Sequence, residues 1–225
     1  MNRSKCGSPK PCARILIVDD HPAVREGLAL RISRQPDLEV CGEAGTIADA
    51  LHLVAETDPD VAIIDIVLKT GNGIDLIKRI KAHHRRVRML VCSMHSESLY
   101  AERALRAGAM GYINKEQATE QIITAIRQLL DGRLFVSEAL ADRLLNRAVG
   151  KADEMRTSPV ERLSDRELEM FQLLGQGLDT HQIAERMRVS PKTVETYRAR
   201  VKDKLNLATH TELIRQATQW TLEQH

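Results

Sequence analysis

Apolar positions in this chain follow two rhythms. Ile15-Leu16-Ile17-Val18, Val61-Ala62-Ile63-Ile64, Met89-Leu90-Val91-Cys92 and Gly111-Tyr112-Ile113 are short continuous runs, the pattern of buried strands. A further strand is expected near Leu38–Ala44. Between them the apolar residues recur at helical spacing: Val24, Leu28 and Ile32; Ile47, Leu51 and Val54; Ile74, Ile77 and Ile80; Leu99, Ala104 and Ala107; Ile122, Ile126 and Leu129. Five βα repeats ending near Asp131 predict an α/β domain, a (βα)5 doubly wound parallel sheet.

Gly132 ends that alternation, and the rest of the chain reads as helix. Ser137–Val149 has helical spacing, and the polar stretch Gly150–Pro159 marks a linker. Ser164-Asp165-Arg166-Glu167 is a capping box for a helix running to about Gln176 and stopped by Gly177. Thr180 is placed to cap a short helix through Met187, and Ser190 to cap a third with Pro191 in its first turn. A fourth runs from Thr209 to about Leu222. The expected division is a disordered tail over 1–13, the α/β domain over 14–132, a linker with one helix over 133–162 and an all-α four-helix domain over 163–225.

Composition narrows the class. The 225 residues are 43% apolar and 28% charged, enough for two modest cores. No apolar run approaches a membrane span, and Met1–Ala13 lacks the apolar centre of a signal peptide, so a soluble cytoplasmic protein without a membrane partner is expected. Cys6, Cys12, Cys41 and Cys92 are too few and too irregular for a disulfide framework or a zinc site, and read as reduced thiols. The net charge of +2 hides an uneven distribution. Arg14–Gly132 carries fifteen basic and seventeen acidic residues, whereas Ser190–Leu205 sets five basic residues against Glu195 and Asp203, marking a helix suited to a polyanion.

The apolar runs also end alike: in Asp19-Asp20, Asp65, Ser93 and Asn114-Lys115. In an open parallel sheet those carboxyl ends share the edge where ligands bind. Three carboxylates at close range repel unless a cation intervenes, and Mg²⁺ suits a few carboxylates plus waters and phosphate oxygens. Asp65, alone at its strand end, is then a candidate nucleophile toward a phosphoryl group, with Mg²⁺ and Lys115 neutralising its oxygens and Ser93 bonding to the product.

Through "ILIVDDHP", "VAIIDI", "CSMH" and "ALRAGAMGYINKE" the chain resembles the receiver domain of two-component response regulators. The resemblance implies that a histidine kinase phosphorylates Asp65, that Asp19, Asp20, Asp65 and the backbone carbonyl of Val67 hold Mg²⁺, and that Lys115 contacts the phosphoryl group. It makes Ser93 and Tyr112 a switch pair in which Tyr112 turns inward on phosphorylation; a half-buried core aromatic is the other reading of Tyr112. Leu68-Lys69 departs from the usual Leu-Pro, leaving a looser or more electropositive rim.

The segment Leu163–Leu207, with "SDRE", "VSPKTVETY" and "KL", resembles the LuxR-type helix-turn-helix of the NarL/FixJ subfamily. That resemblance makes Ser190–Leu205 the recognition helix, with Glu195, Thr196 and Ala199 facing bases and Lys192 and Arg198 suited to phosphates. Thr193, Arg200 and Lys202 complete the expected contact set to double-stranded DNA. Leu213, Ile214, Ala217 and Trp220 form a stripe expected at a homodimer contact, the alternative being closure of the module's own core. The implied function is a phosphorylation-activated DNA-binding transcriptional regulator, not an enzyme beyond its own phosphoryl transfer and slow dephosphorylation. Two other readings are a Mg²⁺-dependent phosphatase or phosphotransferase, for which the first-strand Asp-x-Asp of haloacid-dehalogenase enzymes is missing, and a protein-interaction adaptor that has lost DNA binding.

Overall fold

The computed structural model describes residues 12–69, 71–149 and 158–223. Cys6, most of the expected N-terminal tail and the middle of the expected linker lie outside the described residues.

Strands β1 (Ala13–Val18), β2 (Leu38–Ala44), β3 (Val61–Ile64), β6 (Arg88–Ser93) and β7 (Gly111–Asn114) form a parallel sheet in the order β2-β1-β3-β6-β7. Its central strands are apolar without alternation because both faces are covered. Ile15, Ile17, Ile63 and Leu90 pack on α1 (Pro22–Ser33) and α5 (Lys115–Leu130). Leu16, Val18, Ile64 and Val91 point the other way, toward α2 (Ile47–Thr57), α3 (Gly73–His83) and α4 (Glu97–Ala107). The two-residue period of a strand sorts successive residues between these two cores.

Between β3 and α3 the chain makes a small antiparallel hairpin, β4 (Val67–Leu68) and β5 (Gly71–Asn72), too short to carry a periodic signal. Gly73 follows it against the carboxyl end of β3: a Cβ there would lie 2.0 Å from the Asp65 carbonyl oxygen, so only glycine allows this approach.

Helix α6 (Glu138–Ala148) buries Leu140 beside α4, and Ser137 at its start donates a 2.6 Å hydrogen bond to Glu97. The C-terminal module comprises α7 (Asp165–Gly175), α8 (Thr180–Met187), α9 (Pro191–Leu205) and α10 (His210–Glu223) around Phe171, Val194, Val201 and Leu213. Ser164 and Glu167 close the expected capping box on α7. The cap of α8 is Asp179, not Thr180: its carboxylate accepts from His181 N and Gln182 N, while the Gln182 side chain returns a bond to Asp179 N.

The module rests on α3 and α4 through the start of α7. Asp165 pairs with Lys78 at 2.7 Å and with Arg103 at 3.0 Å, and Arg166 pairs with Asp75 at 2.6 Å. The Tyr100 hydroxyl of α4 lies beside the Gln172 side chain of α7.

Candidate functional site

The strand ends converge. Asp19 follows β1, Asp65 follows β3, Ser93 closes β6 and Lys115 opens α5 directly after β7, with Asn114 capping that helix by accepting from Glu116 N. Asp19 and Asp65 are 2% and 5% exposed, and Ser93 is fully buried. Lys115 Nζ lies 2.6 Å from Asp19 Oδ2 and 2.6 Å from Asp65 Oδ2, bridging two carboxylates. Burial pushes the Asp65 carboxyl above the usual carboxylate range, against the pull of Lys115 and with a further push from Asp19. Burial also works to lower Lys115, but Asp65 and Asp19 outweigh it and hold the ammonium above an ordinary lysine. One ammonium therefore faces more negative charge than it neutralises.

A divalent cation fits this set. Ligand atoms of Asp19, Asp20, His21 and Asp65 all lie within 4.8 Å of one another. Among the described residues, Asp20 Oδ1 is buried and accepts no hydrogen bond, with only His21 Nδ1 in ion-pair range at 2.8 Å. A buried carboxylate oxygen left over in a group of hard oxygen donors is what an oxygen-seeking ion such as Mg²⁺ satisfies. His21 was not singled out from the sequence; its place directly after Asp19-Asp20 and before the helix-starting Pro22 is the signal that points to it.

Ser93 connects this pocket to the next layer. Its hydroxyl sits beside the Asp65 carboxylate and the Tyr112 hydroxyl, pulling both downward against their burial, and accepts a long 3.4 Å bond from His95 N. Cys92, on the opposite face of the same strand, has its thiol pushed up to about 12, chiefly by burial, so it stays neutral. Cys12, Cys41 and Cys92 are free thiols.

On α9, Val194, Arg198, Val201 and Leu205 face inward, and Lys192, Glu195, Thr196, Ala199 and Arg200 are exposed along the outer face. Glu195 accepts from Thr180 at 3.0 Å and pairs with Arg198 at 3.2 Å.

Comparison with known proteins decides what this assembly is. Residues 15–127 match the response regulator receiver domain, and residues 161–217 match the luxR family of bacterial regulatory proteins. The oxygen regulatory protein NreC of Staphylococcus epidermidis is 35% identical over 209 residues, covering 91% of this chain and 96% of NreC. The chain belongs to the response-regulator family. The transcriptional activator DevR/DosR of Mycobacterium tuberculosis is 33% identical over 199 residues, 88% of this chain and 91% of that protein. A structure of the response regulator RcsB of Salmonella typhimurium superimposes with a TM-score of 0.70 at 25% identity, covering 93% of this chain and 98% of RcsB. A receiver domain joined to a LuxR-type DNA-binding domain makes this response regulator a phosphorylation-dependent transcriptional regulator of a two-component system.

Four of the residues expected at the switch, the DNA contact and the dimer contact of the response regulator are buried in this conformation. Tyr112 points inward, 2% exposed, with its hydroxyl donating to the His95 carbonyl at 2.7 Å. Leu213 and Ala217 are fully buried, α10 packing against α7. Gly175 makes that packing possible, since a Cβ there would lie 2.4 Å from the Ala217 carbonyl oxygen. Of the remaining stripe, Trp220 is half-buried with its ring 5.8 Å from Phe171, and Ile214 is exposed. Arg198 is 7% exposed and pairs with Glu195. Among the described residues, no helix is long and apolar enough to cross a membrane.

Proposed function

We propose that Asp65 is the phosphoacceptor through which a sensor histidine kinase switches this protein's DNA binding. The observation that carries the reading is the Lys115 bridge between Asp19 and Asp65, which holds a buried carboxylate beside a cation at the ligand-binding edge of the sheet. Asp19, Asp20, Asp65 and the Val67 carbonyl are the residues to hold Mg²⁺, whose chemistry is to neutralise phosphoryl oxygens and orient the donor. An Asp65 oxygen forms the new O–P bond as the phosphohistidine P–N bond breaks and the departing imidazole takes up a proton. Lys115 then pairs with the phosphoryl group, Ser93 donates to it, and the receiver's own slow hydrolysis resets the site.

Phosphorylation adds roughly −1.5 to −2 charges beside Ser93. Ser93 already contacts Tyr112, so its movement toward the new oxygens alters what Tyr112 holds on the α4, β7 and α5 surface. The receiver is assigned to 14–132, the linker to 133–162 and the output module to 163–225. Lys192, Thr193, Arg200 and Lys202 are assigned to phosphates, and Glu195, Thr196 and Ala199 to base edges, in a cytoplasmic protein that binds DNA as a homodimer. RcsB dimers on DNA support the dimer, to which this chain offers Ile214 and the open edge of Trp220. Acid-labile, base-labile phosphoryl uptake from acetyl phosphate tests the assignment: it is expected in the wild type and absent in Asp65→Asn, and equal uptake by the variant removes it.

A further inference from the structure

Lys69, where the chain departs from the usual receiver sequence, stands at the tip of the β4–β5 hairpin and opens on the helix-turn-helix. It lines a cleft of about 430 Å³ with Leu178, Gln182, Glu185, Arg186 and Arg188. Three cations thus face one carboxylate. Lys69, Arg186 and Arg188 are exposed, and among the described residues none has a carboxylate within ion-pair distance. Unpaired like charges at close quarters lose Coulomb energy that an anion restores.

The position of the cleft names the anion. Arg188 is the left-handed residue ending α8, and Ser190, two positions on, caps α9. Lys192 is exposed in the first turn of α9, the end of a recognition helix that enters the major groove. Lys69, Arg186, Arg188 and Lys192 therefore mark a basic track from the receiver hairpin to the reading end of α9. In helix-turn-helix docking the first helix, here α8, crosses the phosphate backbone. We infer that the Lys69–Arg186–Arg188 cleft takes a DNA phosphodiester, so that the receiver itself contributes a phosphate contact beside the output module. The inference rests on the DNA-binding reading and extends it to a residue four positions past Asp65. Glu185 lies in the cleft as well and sets the limit, since its carboxylate offsets one of the three charges.

Binding of the full chain to random-sequence duplex DNA, titrated with salt, tests this, because phosphate contacts are independent of sequence. Each phosphate contact contributes about −0.9 to the slope of log K against log salt. Lys69→Gln is expected to make the slope shallower by about that amount, with Lys69→Arg restoring it. Arg85→Gln, an exposed residue between α3 and β6, is expected to leave the slope unchanged. A wild-type slope in Lys69→Gln, alongside a shallower one in Lys192→Gln, overturns the cleft while leaving DNA recognition by α9 standing. Salt-independent binding by the wild type overturns both.

Discussion

The Tyr112 hydroxyl donates a 2.7 Å hydrogen bond to the backbone carbonyl of His95. That bond ties β7 to the loop before α4. On one side Ser93 contacts Asp65 and Tyr112; on the other the His95 ring lies 5.2 Å from Tyr100, whose hydroxyl meets Gln172 of α7. Charge placed on Asp65 thus has a contiguous path of packed side chains to the output module.

Tyr112→Phe tests that path. It removes the hydroxyl and keeps the ring, so stability is expected to fall by about 1 kcal/mol in chemical denaturation. The sharper readout is DNA affinity before and after acetyl phosphate: the variant is expected to lose most of the gain, and an undiminished gain argues that the signal travels elsewhere.

Gly73→Ala attacks the pocket from behind. The new methyl group meets the Asp65 carbonyl oxygen, a backbone atom that cannot swing aside, and relief requires shifting the phosphoacceptor. Overpacking of this kind costs typically 1–3 kcal/mol. The variant is expected to fold with reduced stability and to take up phosphoryl groups from acetyl phosphate far more slowly; wild-type uptake contradicts the close approach.

Mg²⁺ is expected to stabilise the wild type by about 2.7 kcal/mol at one hundred times its dissociation constant, because the ion binds the folded pocket and not the unfolded chain. Asp20→Asn removes the buried oxygen that accepts no hydrogen bond and is expected to lose most of the shift in melting temperature. An equal Mg²⁺ response in the variant places the ion elsewhere.

Asp165 gives the contact between α7 and the receiver a pH signature. Burial raises its carboxyl, but hydrogen bonds and charge from Lys78 and Arg103 outweigh this and hold it below the ordinary aspartate value. A carboxylate with a lowered folded pKa contributes stability above its unfolded value and loses it as pH falls through the folded one. Asp165→Asn is therefore expected to be less stable than the wild type near neutrality, by on the order of 1 kcal/mol for this half-exposed cluster. The two unfolding curves are expected to converge below about pH 4.

Much of this was legible in the sequence. The central strands betray themselves because both faces are covered, and Asp19, Asp65, Ser93 and Lys115 are readable as a site because each directly follows a run of that kind. The β4–β5 hairpin was not, since two residues per strand carry no period. Asp179 and Thr180 are both good caps, and only backbone geometry picks the aspartate. Leu213 and Ala217 sit on a clear helical stripe, but spacing does not say whether a stripe faces its own module or another chain; the close packing of α10 on α7 at Gly175 is visible only in three dimensions. Asp165 reads as part of a capping box and also spans to Lys78 and Arg103, partners eighty-seven and sixty-two residues away that no local pattern reveals.

The central claim is that modification of Asp65 governs DNA binding through the receiver. Affinity for a duplex carrying the protein's own upstream region, measured for the wild type and Asp65→Asn with and without acetyl phosphate and Mg²⁺, tests it most directly. The account predicts tighter binding by the treated wild type and no response from the variant. An equal gain in both contradicts it.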